Sequence, residues 1–362
     1  MFKVINKGNL ELFNKAAKWH FNYYILRKPS PLVVVVYLTH NCNFKCVMCN
    51  FWRDEVKHIL PIETFKKIVD DVKNSCYYFD LAGGEPTIVP DLLERLKYAS
   101  DRIPYVHIVS NGFLINEKKA RELGETGISE ISISIDGIGE THNKIRGIKH
   151  AYPKAVEAVE NLKKHAPNVK IVVNTVLGLA PMEEMYRLVE LTEKMGVMHK
   201  FQPTMDHPEF NKQHSKADKK TELTKERKIH ELEKFIQFIR KKKHVANSDY
   251  YLSHLPNYFR GQNNEGLFKE KCKAPYFYLE VTDDQVFPCA TPMNWQNGFK
   301  LNVARLKDFY HSKAYKEKQK LCENCTKCSN NMYICYVEPR INFPIQSFLK
   351  YNFFHNIKSF IK

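Results

Sequence analysis

The chain has 362 residues, 43% of them apolar and 27% charged, with a formal charge of +16. That length allows about two domains of roughly 150 residues each, and that composition can bury a sizeable core, which excludes a disordered scaffold. The longest unbroken apolar run, Leu32 to Leu38, has seven residues against the ~20 of a membrane-spanning helix, and residues 1–7 lack the apolar stretch of a secretory signal.

The charge is concentrated. Residues 1–31 carry six basic and one acidic side chain, residues 211–243 twelve and five, and residues 341–362 three lysines and no acid. The rest is close to neutral. Such patches suit an anionic membrane surface or nucleic acid, with a solvated surface as the plain alternative.

Residues 32–202 alternate between two periodicities. Leu32–Leu38 reads as a buried strand, being continuous and β-branched. Residues 61–73 follow as a helix, with Ile62, Phe65, Ile68, Val69 and Val72 at helical spacing. Further strands are expected over 77–81, 105–109, 131–135, 170–177 and 199–202, and helices over 91–99, 117–123, 152–164 and 182–195. Six βα units in succession predict an α/β fold, a partial (β/α)6 TIM-like barrel whose site lies at the C-terminal strand ends. Residues 207–230 read as a basic linker and 231–243 as a helix with Leu232, Phe235, Ile236 and Ile239 on one face. The βα pattern stops near residue 245. The expected division is 1–31, an amphipathic basic helix; 32–245, the core with its basic linker at 207–243; 246–340, a cysteine-rich unit; and 341–362, an amphipathic tail.

Ten cysteines in a chain of this size without an export signal point to metal or catalysis rather than disulfides. Cys76 stands alone and reads as a small buried hydrophobe. Cys42, Cys46 and Cys49 form C-x3-C-x2-C directly after the first strand. Three thiolates on one loop suit an iron–sulfur cluster with one iron open. Zinc stays possible, with His40 or His58 as a fourth ligand. The later strands end in Gly83-Gly84-Glu85-Pro86, in Ser110-Asn111-Gly112 and in Ser132-Ile-Ser134-Ile-Asp136-Gly137, with Arg146-Gly147 ten residues on. Glycines at the first of these would let a ligand approach the backbone.

In these motifs and their order, residues 32–205 resemble the radical S-adenosylmethionine (SAM) superfamily. Met48 departs from the aromatic residue often found before the third cysteine. The resemblance implies that Cys42, Cys46 and Cys49 hold a [4Fe–4S] cluster. SAM would bind its open iron and be cleaved to a 5′-deoxyadenosyl radical that abstracts hydrogen from a substrate C–H bond. Gly83, Gly84 and Glu85 would receive the methionyl ammonium, Ser134 and Asp136 the ribose or carboxylate, and Arg146 the carboxylate. Ser110 and Asn111 join this cofactor-binding set, and Asn174 and Gln202 are weaker candidates.

The remaining cysteines are Cys272, Cys289, Cys322, Cys325, Cys328 and Cys335. From Cys322 onward a zinc ribbon is permitted by spacing. Behind a radical SAM core, the region resembles the SPASM or twitch extensions, which carry auxiliary iron–sulfur clusters. It departs from them in having Asp284 where glycine is usual and six cysteines instead of seven. At least one auxiliary [4Fe–4S] cluster is expected.

Residues 10–26, with Leu10, Phe13, Ala17, Phe21 and Tyr24 on one side, and residues 341–362 read as basic helices with an aromatic face, suited to a membrane interface or to packing on the barrel. The leading expectation is modification of a peptide or protein. Alternatives are a lipid or lipid-linked sugar, and a non-catalytic iron–sulfur sensor or nucleic-acid-binding protein, which the intact motif set disfavours. The resemblance also implies an electron donor such as a flavodoxin or ferredoxin, oxygen sensitivity, and an anaerobic cytoplasmic setting, peripheral to the membrane if the ends bind it.

Overall fold

The computed structural model describes residues 14–15, 17–26, 28, 30–53, 58–204, 226–261, 274–282, 285–288, 299–300, 306, 310–323, 332 and 337–338. In chain order the main elements are β1 (Val33–Tyr37), α1 (Ile62–Val72), β2 (Tyr78–Ala82), α2 (Leu92–Ser100), β3 (Tyr105–Ser110), α3 (Glu117–Glu125), β4 (Glu130–Ser134), α4 (Glu140–Arg146), α5 (Ala151–His165), β5 (Lys170–Leu177), α6 (Met182–Met195), β6 (Met198–Pro203), α7 (Glu226–Ile239), α8 (Asp249–Phe259), β7 (Tyr278–Thr282), β8 (Gln285–Phe287), β9 (Phe299–Lys300) and α9 (Lys313–Glu323).

The strands form one open sheet in the order β6-β5-β4-β3-β2-β1-β7-β8-β9. Neighbours from β6 through β1 to β7 are parallel, and β8 and β9 are antiparallel. The six expected strands are all present, wound in chain order as a partial barrel. The sheet also holds what the βα reading did not foresee. Residues beyond 245 return to it, and β7 lies parallel to β1, with Val33 opposite Tyr278. Backbone bonds from Leu32 and Val33 to the Phe277 carbonyl, at 2.8 and 2.9 Å, begin that pairing.

Burial explains the pattern. All five residues of β1 are buried, as suits a β-branched strand covered on both faces. Helix α1 turns Phe65, Ile68, Val69 and Val72 to the sheet, and α6 turns Met185, Leu188 and Val189. Asn116 starts α3 by accepting the Lys119 N–H at 2.9 Å, and Gly196 ends α6 in the left-handed conformation. Helix α7 begins at Glu226, inside the stretch read as linker, and buries Ile229 with the four apolar residues expected. Cys76 is buried, as its isolation suggested.

The N-terminal segment buries a face other than the one carrying Ala17 and Phe21. Ala17 is exposed and Phe21 is 55% exposed, while Trp19 is buried. The Trp19 ring stacks on Tyr23 at 5.0 Å, and its Nε1–H donates to the Tyr276 carbonyl at 2.8 Å. The largest apolar ring, with its one polar atom satisfied, sets the buried face. Leu10, Phe13, most of the 207–243 linker and the 341–362 tail lie outside the described residues.

The inner face of the sheet is polar along its middle strands. Glu130 is buried and accepts from Tyr105 Oη at 2.6 Å, Lys170 Nζ at 2.8 Å and Lys200 Nζ at 2.6 Å. Burial alone would push this carboxyl up. The charges of Lys200 and Lys170, both bonded to it, outweigh that and hold Glu130 well below its ordinary value of 4.5. A depressed carboxyl stabilises the fold above its unfolded-state value and loses that contribution as pH falls through the folded one. Glu130→Gln should therefore cost ~2–3 kcal/mol near neutral pH, reduced by the partial exposure of Lys170. Urea midpoints of the two proteins should keep their separation down to about pH 5 and converge in more acidic solution.

Candidate active site

One cavity of about 440 Å³ opens over the C-terminal strand ends. Cys42, Cys46 and Cys49 line it, as do Gly83, Gly84, Glu85, Ser110, Asn111, Ser134, Arg146, Asn174 and Gln202. Twelve of the thirteen residues named for cluster or SAM, the weaker Asn174 and Gln202 included, thus line one cavity. The exception is Asp136.

The cysteine loop is held on two sides by backbone. On one, the Gly84 N–H donates to the Thr39 carbonyl at 2.7 Å and the Glu85 N–H to the Asn41 carbonyl at 2.8 Å. A Cβ on Gly84 would lie 2.0 Å from the Asn41 carbonyl oxygen, and one on Gly83 2.4 Å from that of Thr39. These glycines admit the backbone that leads into the cysteine loop, and both also line the cavity. On the other side, Lys45 and Val47 donate to the carbonyls of Arg146 and Ile145 at 3.3 and 3.0 Å. Gly147 caps α4 with φ of 66°, and a Cβ there would lie 2.3 Å from the Lys45 carbonyl oxygen.

Glu85 ties the second and third strand ends together. Its Oε1 accepts from the Thr87 N–H at 3.1 Å, Thr87 Oγ1 at 2.6 Å and Ser110 Oγ at 2.8 Å, and its Oε2 from the Asn111 N–H at 2.7 Å. Burial pushes its carboxyl up, and these donors pull against that rise. Asn111 Nδ2 donates to Asn43 Oδ1 at 2.7 Å, adding a side-chain link to the cysteine loop.

Asp136 is fully buried and does not line the cavity; it meets Arg146 instead. Strand β4 ends at Ser134, so the alternation that points Ser132 and Ser134 inward does not extend to Asp136. Its Oδ1 accepts the Val176 N–H at 2.8 Å, and its Oδ2 lies 2.6 Å from Arg146 Nη2. Burial would weaken the guanidinium's hold on its proton, but the Asp136 carboxylate outweighs it and keeps Arg146 charged. His142, pushed down to about 3 by burial and by Arg146, stays neutral and accepts the Asp136 N–H at 2.9 Å.

Arg146 Nη1 lies 3.8 Å from Cys46 Sγ. Burial raises all three thiols, Cys42 and Cys49 to about 12. They remain protonated until a metal displaces their protons. The residues fit an iron–sulfur cluster with a polar ligand beside it. Three thiols share one cavity wall, a buried cation stands where thiolate charge would accumulate, and two buried polar atoms on that wall, Arg146 Nε and Asn174 Oδ1, have no protein partner. A closed zinc site fits less well. His40 Nε2 engages Thr282 Oγ1 at 3.1 Å, and neither His40 nor His58 lines the cavity.

Residues 36–192 match the Radical SAM superfamily. This stretch is a radical SAM domain. It belongs to a superfamily of enzymes, and its curated relatives carry enzyme names. The chain is 31% identical over 170 residues to Fe-coproporphyrin III synthase of Methanosarcina barkeri, covering 46% of this chain and 42% of that protein. It is 24% identical over 166 residues to PqqA peptide cyclase of Bradyrhizobium diazoefficiens, covering 45% and 43%. The chain thus spans about half the length of the curated relatives it matches. In fold it is similar to Streptococcus suis SuiB bound to S-adenosylmethionine, with a TM-score of 0.64, 17% identity, and 93% of this chain and 80% of that one covered. It is also similar to anSMEcpe with bound AdoMet, with a TM-score of 0.61, 20% identity, and 91% and 98% covered. SuiB has also been solved with its precursor peptide SuiA, and anSMEcpe with a Cp18Cys peptide.

Sequence reasoning missed part of the wall of the radical SAM domain's cavity. Asp80, His107, Ser132 and Lys200 line it from the inner face of the sheet, with Tyr37, Tyr78 and Glu338. The signal was present. Asp80, His107 and Lys200 are polar residues in mid-strand, on the side that carries the motifs at the strand ends.

Because Gly84 has no room for a side chain, Gly84→Ala should cost ~1–3 kcal/mol through overpacking. The loss should register as a lower urea midpoint and as faster limited proteolysis within residues 39–49.

Proposed function

We propose that the chain is a radical SAM enzyme acting on a peptide or protein. The observation that carries this is the meeting of Cys42, Cys46 and Cys49 with Gly83–Glu85, Ser110–Asn111, Ser134 and Arg146 in one cavity. A [4Fe–4S] cluster on the three thiols would supply the electron that cleaves SAM to a 5′-deoxyadenosyl radical, which takes hydrogen from the substrate. This chain's residues hold and shield that chemistry. Arg146, kept charged by Asp136, offsets the charge of the three thiolates and offers its unpartnered Nε to the carboxylate of SAM. Glu85 ties the glycine turn to the third strand end and, through its N–H, to Asn41, and this turn would receive the methionyl ammonium. Ser134 and Asn174 present polar atoms for the ribose.

Peptide-bound SuiB and anSMEcpe support a peptide substrate. So does the polar floor of Asp80, His107, Ser132 and Lys200, which suits amide and hydroxyl groups better than an acyl chain. Cys272, Cys289, Cys325, Cys328 and Cys335 lie outside the described residues, and Cys322 is described in its backbone alone, near the end of α9. We read them as the ligands of at least one auxiliary [4Fe–4S] cluster in a SPASM-like unit. A flavodoxin or ferredoxin would supply the electron.

Anaerobically reconstituted and reduced protein, given SAM and a peptide fraction of the source cells, should release 5′-deoxyadenosine. A Cys42→Ala/Cys46→Ala/Cys49→Ala variant should release none and bind about four fewer irons while keeping roughly four. Release that survives in the variant, or stimulation by a lipid extract in place of the peptides, would overturn this reading.

A second reading concerns location. Phe21, Ile25 and Leu26 are 55%, 64% and 50% exposed beside exposed Lys18 and Lys28. No helix among the described residues is long and apolar enough to cross a membrane. This face would instead lie in an anionic interface. Phe21→Ser/Ile25→Ser should abolish co-sedimentation with phosphatidylserine vesicles, and equal sedimentation of both proteins would refute the contact.

A further inference from the structure

The floor of the cavity holds three hydrogen-bonded side chains that neither the cluster nor SAM accounts for. Asp80 on β2, His107 on β3 and Ser132 on β4 come from adjacent parallel strands, with Asp80 and His107 directly opposite in register. His107 Nδ1 lies 2.7 Å from Asp80 Oδ1, and His107 Nε2 lies 2.8 Å from Ser132 Oγ. All three are at least 97% buried, yet all three line the cavity. Barrel interiors are ordinarily filled by branched apolar side chains, so a polar chain ending at the cavity is a departure that needs a reason.

We propose that Asp80, His107 and Ser132 form a proton relay that accepts the proton of a hydroxyl, thiol or amide group of the bound substrate. An ionised Asp80 accepts hydrogen bonds and cannot donate them, so it selects the Nδ1–H tautomer of His107. Nε2 then carries a lone pair, which takes the Ser132 O–H bond. The Ser132 oxygen is left facing the cavity as an acceptor. When the substrate's X–H bond breaks, its proton passes to Ser132 Oγ and the Ser132 proton passes to His107 Nε2. The O–H of Ser132 is restored, one N–H bond has formed, and no electron has been transferred. The products are a substrate anion and an imidazolium. The imidazolium lies against Asp80 and 3.6 Å from Glu130 Oε1, so it forms between two carboxylates. The other charges facing this group are Lys170 and Lys200, both bound to Glu130, which leaves Asp80 as the counter-charge closest to the ring. Ser132 touches the substrate and is the catalytic residue, while Asp80 is a positioning residue.

This inference rests on the reading of the cavity as the reaction site only for the identity of the proton donor. Two measurements test it. The first needs no substrate: ¹⁵N spectra of the full chain, histidine-labelled and with its clusters loaded and oxidised, at pH 7.5. His107, assigned by its loss in His107→Gln, should be protonated at Nδ1 and bare at Nε2. An Nε2–H tautomer, or a ring already protonated on both nitrogens, would overturn the relay, because Nε2 could then accept nothing. The second follows 5′-deoxyadenosine and peptide mass change together, using the peptide fraction as probe. Ser132→Ala and Asp80→Asn should lower the ratio of modified peptide to 5′-deoxyadenosine about 100-fold or more. Asp80→Glu, which keeps a carboxylate, should recover part of the product. An unchanged ratio of product to 5′-deoxyadenosine would refute the relay. If the parent protein releases no 5′-deoxyadenosine, the reading of the cavity fails, and the histidine spectra still decide the relay.

Discussion

The site depends on three stretches of backbone lying closer together than side chains permit. Residues 39–47 are clasped between the Gly83–Glu85 turn and the Arg146–Gly147 helix end, with hydrogen bonds on both sides and glycine at the tightest approaches, Gly83, Gly84 and Gly147. The clasp fixes the cysteine loop relative to β2 and to α4, and hence relative to the whole sheet. A three-cysteine loop tied only to its own strand would sample many shapes, and ligating thiols need one. The glycines are thus part of the cluster's scaffold as much as the cysteines are.

The same clasp delivers a buried charge. Bringing the end of α4 against the loop places Arg146 beside Cys46, and a guanidinium without a counter-ion there would be costly. Asp136, fixed by the Val176 N–H beneath it, meets that cost. Three thiolates beside an otherwise apolar wall of Phe44, Met48 and Phe51 would repel one another, and Arg146 is the cation among the described residues that faces them. Asp136 therefore acts at one remove. It holds the group that holds the ligands.

Much of this was legible in the sequence, and the failures have physical causes. The six strands and their helices announced themselves, because buried β-branched runs and helical apolar spacing are local signals. Helix α4 did not. It has seven residues, too few to show a period, and its ends are set by Gly139 and Gly147. Strand β7 did not either, because its parallel pairing with β1 is a choice made across more than two hundred residues. The strand-end motifs identified which residues gather at the site but not which way each side chain turns. Asp136 is the case in point, since the strand ends at Ser134 and its alternation cannot be carried two residues further.

The cavity's two ends also differ in kind, and that difference constrains the chemistry. Beside the cysteines the wall is aromatic and thioether, from Phe44, Met48 and Phe51. At the floor, Asp80, Glu130, His107, Lys170 and Lys200 form a nearly neutral network whose members are each paired. A hydrogen atom would leave the substrate at the first end, and a proton could leave it at the second. On the proposed function, a substrate spanning both would carry its reactive C–H bond and a protic group on the same short stretch.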